Sequence, residues 1–92
     1  MSGVVLFDKG RACLYLRDVK RHEDGSIKQA WVVNGLWTFK RRDGVCEAYD
    51  YWHPNTPVNS WPDPGFEERP APSGNDYQDV MNKAQEDYDR TR

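Results

Sequence analysis

Two histidines, His22 and His53, and two cysteines, Cys13 and Cys46, are the side chains here best suited to hold a metal or act as nucleophiles. Zinc sites need such groups at short spacings, yet the two cysteines lie 33 positions apart and neither histidine has a Cys or His at finger distance. No glycine-rich loop leads into a helix as a phosphate cradle, and no Gly-x-Ser-x-Gly elbow presents a hydroxyl. Carboxylates are plentiful, but no spacing among them marks a general acid with its base. The expectation is a non-enzymatic protein without metal or cofactor. Binding chemistry is better supplied. Four Trp, five Tyr and a set of clustered cations are the groups that interfaces favour.

Turn chemistry sets the elements that must position those groups. Asp8-Lys9-Gly10, residues 22–26, Asn34-Gly35 and Asp43-Gly44 separate stretches rich in Val, Leu, Ile and aromatics. Asn-Gly and Asp-Gly accept the positive φ of a two-residue hairpin loop. Strands are therefore predicted over 3–8, 11–21, 27–33, 36–42 and 45–52, as a five-stranded antiparallel meander. All six prolines fall between positions 54 and 72, which argues against a helix or a central strand there. Trp61 and Phe66 should pin this stretch to the domain as an extended arm. From Asn75 the pattern is helical, with Asn75 and Gln78 as a capping pair and Tyr77, Val80, Met81, Ala84 and Tyr88 on one stripe. The fold class is mainly β with one helix (α+β). A sheet core over 1–53, a Pro-rich arm over 54–74 and an acidic C-terminal helix over 75–92 form one domain.

Tight turns also fix cross-strand neighbours. A loop at Asn34-Gly35 sets Val33 opposite Leu36, Val32 opposite Trp37 and Ala30 opposite Phe39; one at Asp43-Gly44 sets Arg42 opposite Val45, Lys40 opposite Glu47 and Phe39 opposite Ala48. Opposed residues share a face. One face then carries Ala30, Val32, Trp37, Phe39, Cys46 and Ala48, and is core. The other carries Trp31, Val33, Leu36, Thr38, Lys40, Glu47, Tyr49 and Tyr51. Either the helix or the arm covers this second face, as a sheet apolar on both sides usually requires, or it is an interface.

Charge is divided along the chain. Residues 1–45 carry nine Lys/Arg against five Asp/Glu, and residues 46–92 carry four against ten, for a net −2. Meander geometry brings the loop at 22–26 and the turn at 43–44 to one end, away from the turns at 8–10 and 34–35. Lys20, Arg21, Lys28, Lys40, Arg41 and Arg42 should converge there on a basic rim, near +3 once Glu23, Asp24 and Asp43 are counted. Such a rim meets phosphates, an acidic protein surface, or simply Glu86, Asp87 and Asp89 of the helix.

These features exclude several classes and favour one. No apolar run reaches the ~20 residues of a membrane span. The N-terminus lacks the pattern of a secretory signal, and two cysteines fit a reducing cytoplasm. The favoured reading is a protein-binding inhibitor or adaptor, with Lys20, Arg21, Lys28, Lys40, Arg41, Arg42, Trp31, Tyr49 and Tyr51 as its binding residues. Its acidic helix would engage grooves that normally hold nucleic acid. In size, solubility and compactness the chain resembles the small phage- or mobile-element-encoded host-modulating proteins, including the anti-CRISPR proteins. That resemblance implies a viral protein whose partner is a host protein or nucleoprotein complex, met in the host cytoplasm. It carries no residue roles. Direct contact with single-stranded RNA or DNA through the rim and its aromatics is the alternative, although a pI near 5.6 is low for it. A structural subunit of a larger particle is a third reading.

Overall fold

A computed structural model describes residues 3–33, 35–62 and 66–91. Among these residues the chain forms β1 (Val4–Asp8), β2 (Arg11–Arg21), β3 (Ile27–Val32), β4 (Gly35–Arg42), β5 (Val45–Asp50), β6 (Asn59–Pro62), β7 (Glu67–Pro70) and α1 (Tyr77–Thr91). The strands make one antiparallel sheet in the order β6-β5-β4-β3-β2-β1-β7. The α+β class expected from the sequence is present, but with seven strands rather than five. The two additional strands come from the proline-rich arm. Proline's missing N–H is tolerated at a sheet edge, and β6 and β7 are the two edges.

That order forces the sheet to curl. Six strand spacings of ~4.8 Å would hold the outer strands of a flat sheet roughly 29 Å apart. Only four residues separate Pro62 from Glu67 in the chain, and even fully extended they reach roughly 18 Å. The sheet therefore rolls into a half-barrel whose edges approach each other. Trp61 of β6 and Phe66, just before β7, stack 4.7 Å apart across the opening. Both rings pack on the inner core of Leu6, Leu16, Ala30, Val32, Phe39 and Ala48.

β1 is buried on both faces, which explains its unbroken Val4–Phe7 apolar run. Leu6 points into the half-barrel, while Val5 and Phe7 form an outer cluster with Val80 and Ala84 of α1. The helical stripe docks as its spacing predicts, and Tyr88 stacks on Phe7 at 4.7 Å. Helix side chains also serve backbone groups of β2 that β3 does not reach. Gln85 Oε1 accepts the Ala12 N–H at 2.8 Å and the Tyr77 hydroxyl accepts the Tyr15 N–H at 3.2 Å. The cap is Asp76, one residue later than expected: its carboxylate accepts the Asp79 N–H at 2.8 Å, while Asp79 accepts the Asn75 N–H at 3.1 Å. A charged acceptor suits the positive end of the helix better than neutral Asn75. Gly74 permits this close turn, since a Cβ there would lie 2.7 Å from Val80 Cγ2.

The Asp43-Gly44 hairpin has the expected register, from Arg42 opposite Val45 to Thr38 opposite Tyr49. The preceding hairpin differs. Val32 opposes Gly35, Trp31 opposes Leu36 and Ala30 opposes Trp37, so the loop is Val33 and Asn34 rather than Asn34-Gly35. Asn34 itself lies outside the described residues. In this register Trp37 sits beside Ala30 and Phe39 beside Ala48, one large ring against one small side chain at each crossing. The expected register would have set Val32 against Trp37 and Ala30 against Phe39. Packing inside a tight curl has overridden turn preference. Because the partner moves by two positions, every side chain keeps its face. The turn at Val33 also stands beside Arg17 rather than beside the 8–10 turn, since β2 pairs with β1 along its first half and with β3 only from Arg17.

The compensation is local strain: Val33, a β-branched residue, has φ 54°, where Val is a rare occupant. Val33→Gly should therefore raise stability by about 1 kcal/mol in urea denaturation; a loss would place the loop differently. Phe39→Ala, at a ring only 6% exposed, should cost ~3–5 kcal/mol in the same assay.

Candidate binding face

α1 lies over β1 and the first half of β2, and the outer side of β3, β4 and β5 is left bare. Register assigns that bare face. Arg17 opposes Trp31 and Trp31 opposes Leu36 in one row across the strands. Gln29, Thr38 and Tyr49 form the next row, then Lys40 with Glu47, then Arg42 with Val45. Trp31 is 39% exposed and Val33 51%. The face is apolar toward the Val33 turn and becomes charged toward Asp43.

Local contacts stiffen this surface. The Lys40 ammonium lies over the Tyr49 ring, 4.9 Å from its centroid. The Tyr49 hydroxyl donates to Glu47 Oε1 at 3.0 Å, and Arg42 Nη2 stands 3.5 Å from the same oxygen. Partial burial, followed by the hydrogen bond to Glu47, pushes the Tyr49 phenol above its usual value of 10.0. β5 ends at Asp50, two residues before the predicted end. Asp50 accepts the His53 N–H at 2.7 Å and turns the chain. Tyr51 consequently leaves the ladder and joins Trp52 in an edge-to-face pair, centroids 5.1 Å apart. These rings are 73% and 77% exposed.

The rim forms in outline but not in charge. Residues of the 22–26 loop and the 43–44 turn line one open cleft of about 720 Å³, floored by Ile27 and Phe39. Its three arginines are occupied from within the fold. Arg21 Nη2 contacts Glu68 Oε1 at 2.7 Å, Arg41 Nη1 lies 3.8 Å from Asp24, and Arg42 reaches Glu47. The Ser26 hydroxyl and N–H both bond Asp24 and hold its carboxyl below the ordinary range. Adding Glu47 and Glu68 to the count reduces the expected +3 to +1. The partners are not Glu86, Asp87 and Asp89; Asp87 contacts Arg90 and Asp89 contacts Gln85.

Of the nine residues expected to bind, Trp31, Tyr49, Lys40 and Arg42 share the bare face. Lys20, opposite Gln29, stands at its margin. Tyr51 sits at its tip. Arg21 and Arg41 turn toward the mouth of the half-barrel, and Lys28 is exposed at an irregularity of β3. Sequence reasoning passed over Arg17 and Trp52. Arg17 follows Leu16 of the inner core, so alternation puts it on the outer face, and the bulge at Asp18, φ 51°, then turns Val19 inward and keeps Lys20 outside. The Tyr51-Trp52 pair immediately before His53-Pro54 was the available signal for an aromatic tip.

Among the described residues, no three His, Cys, Asp or Glu side chains form a metal-holding group. His53 contacts Asp50 and His22 lines the rim cleft. Cys13 and Cys46 are not disulfide bonded. No described helix is long and apolar enough to cross a membrane. The fold is thus an antiparallel half-barrel of seven strands with one helix on its back. No family model, curated protein or solved structure matches the chain.

The phenol offers a direct check of the face. Its raised value means the stabilisation it reports is present below pH ~10 and is lost as pH rises through the folded-state value. Glu47→Ala should return one of the five tyrosine titrations toward its ordinary midpoint when followed at 295 nm; an unchanged profile would remove Glu47 from that site.

Proposed function

We propose that this chain is a non-enzymatic, protein-binding inhibitor or adaptor that works by covering a partner's surface with the bare outer face of β3–β5. One observation carries the reading. α1 covers only half of the sheet's outer side, and the remainder presents Trp31, Val33 and the Tyr51-Trp52 tip to solvent. Exposed aromatics with polar tips, interleaved with Arg and Lys, are the composition from which interface hot spots are drawn. A host protein or nucleoprotein complex is the partner proposed, in keeping with the resemblance to small host-modulating proteins. The rim takes a secondary part, because its arginines already have internal partners.

Single-stranded nucleic acid is the competing ligand, and the Lys40–Tyr49 stack is the feature that favours it. A stoichiometric protein partner should be captured from cell lysate by the native chain. Its affinity in calorimetry should fall about 30-fold for Trp31→Ser, as at a 2 kcal/mol hot spot, and stay unchanged for Arg41→Glu. Oligonucleotide binding at low salt with no protein partner would defeat the reading. So would loss of binding in the Arg41 variant alone.

A further inference from the structure

The bare face is the size of one helix. Three strands at ~4.8 Å spacing make a strip about 10–14 Å wide, and a helix with its side chains is about 10 Å across. The other half of the same side already carries such an element. α1 is an amphipathic helix with four carboxylates, Asp79, Glu86, Asp87 and Asp89, against Lys83 and Arg90. It seats an apolar stripe on the sheet, and Arg69 stacks over Tyr88, 4.3 Å from the ring centroid.

The bare strip repeats that chemistry without an occupant. Trp31, Leu36 and Tyr49 lie side by side on β3, β4 and β5 toward its Val33 end. Arg17 stands in line with them beside Trp31, Lys20, Lys40 and Arg42 follow toward Asp43, and Glu47 is the one carboxylate among the strand positions of that face. Asp18 sits in the bulge and takes no part in the ladder. Excess positive charge beside an apolar patch is complementary to a helix that carries an apolar stripe with carboxylates next to it. A polyphosphate fits less well. Val33 and Val45 are exposed aliphatics that give no stacking surface, and Asp76, which caps α1, lines a cleft with Arg17 and Val33.

We propose that the outer face of β3–β5 binds an acidic amphipathic helix of its protein partner. The apolar stripe of that helix would lie on Trp31, Leu36 and Tyr49, and its carboxylates against Arg17, Lys40 and Arg42. The assignment rests on the reading that this face docks a protein. It extends that reading by giving the partner element its conformation and charge.

A display library of helix-forming 18-residue peptides, randomised at surface positions and selected on the full-length chain, tests it. The expected winners carry apolar residues at i, i+3, i+4 and i+7 with Asp or Glu beside that stripe. Their affinity should drop at least about tenfold for Lys40→Glu and for Trp31→Ser, with both variants shown folded by circular dichroism. Winners that depend on Trp31 but are neutral, basic or extended would overturn the helix assignment and leave the docking face standing. No enrichment over a Trp31→Ser bait would overturn both. Tighter binding of a 20-residue oligothymidylate at low salt would give the face to nucleic acid. A dimer of the unliganded chain at micromolar concentration, abolished by Lys40→Glu, would give it to a second copy.

Discussion

A short tether governs this molecule. β6 and β7 stand at opposite ends of a seven-stranded order, yet only four residues connect them. The chain has no means of satisfying both strand pairings in a flat sheet. Curling is therefore a covalent requirement before it is a packing preference, and the right-handed twist of antiparallel strands supplies it at little cost. Once curled, the inner surface is too narrow for large side chains on adjoining strands. That is why Trp37 meets Ala30 rather than Val32, and why Val33 is held at a positive φ to keep that pairing. A strain of ~1–3 kcal/mol in one turn is of the same order as the cost of overpacking one ring.

Curvature has an opposite effect outside. On a convex surface a straight helix touches few strands, and α1, about 22 Å long at 1.5 Å per residue, packs on β1 and β2. Its hold there is reinforced by backbone hydrogen bonds that the sheet itself cannot make. β2 outruns its partner β3, and the unpaired N–H groups of Ala12 and Tyr15 are taken up by Gln85 and Tyr77. Moving α1 toward β4 would release those donors and uncover Val5 and Phe7, which are 0% and 2% exposed. The helix is thereby committed to one half of the face, and the other half remains open for the same reason.

Much of this was legible in the sequence, and the failures share a cause. Asp43-Gly44 gave the β4–β5 register residue by residue, because both loop positions tolerate positive φ and no long-range contact opposes them. The apolar spacing of α1 named its buried stripe. The faces of β3–β5 were also readable, since a two-residue slip leaves parity intact. What escaped was whatever depends on residues distant in the chain. The prolines argued against central strands and so hid two edge strands. The 34–35 turn yielded to packing against Ala30. The rim's positive count left out Glu47, although the hairpin register already set it opposite Lys40, and Glu68, which became visible only once β7 closed beside β1.

This last failure decides how the two surfaces compare. An exposed ion pair contributes about 0–1 kcal/mol to stability, so Arg21–Glu68 and Arg41–Asp24 do little to hold the fold. They nonetheless cancel the field that would draw a phosphate or a carboxylate to the rim, since opposite charges a few ångströms apart look nearly neutral beyond a Debye length of ~8 Å. No equivalent cancellation exists for an exposed indole. Trp31 and Trp52 keep their apolar surface in water whatever the charges around them do, and at roughly 25 cal/mol per Å² that surface gains free energy only by being covered. The arginines of the rim have largely settled their electrostatics within the chain, whereas the indoles of the strip over β3–β5 and its tip keep their apolar surface in water. That is why the docking proposed above is assigned to the strip and not to the rim.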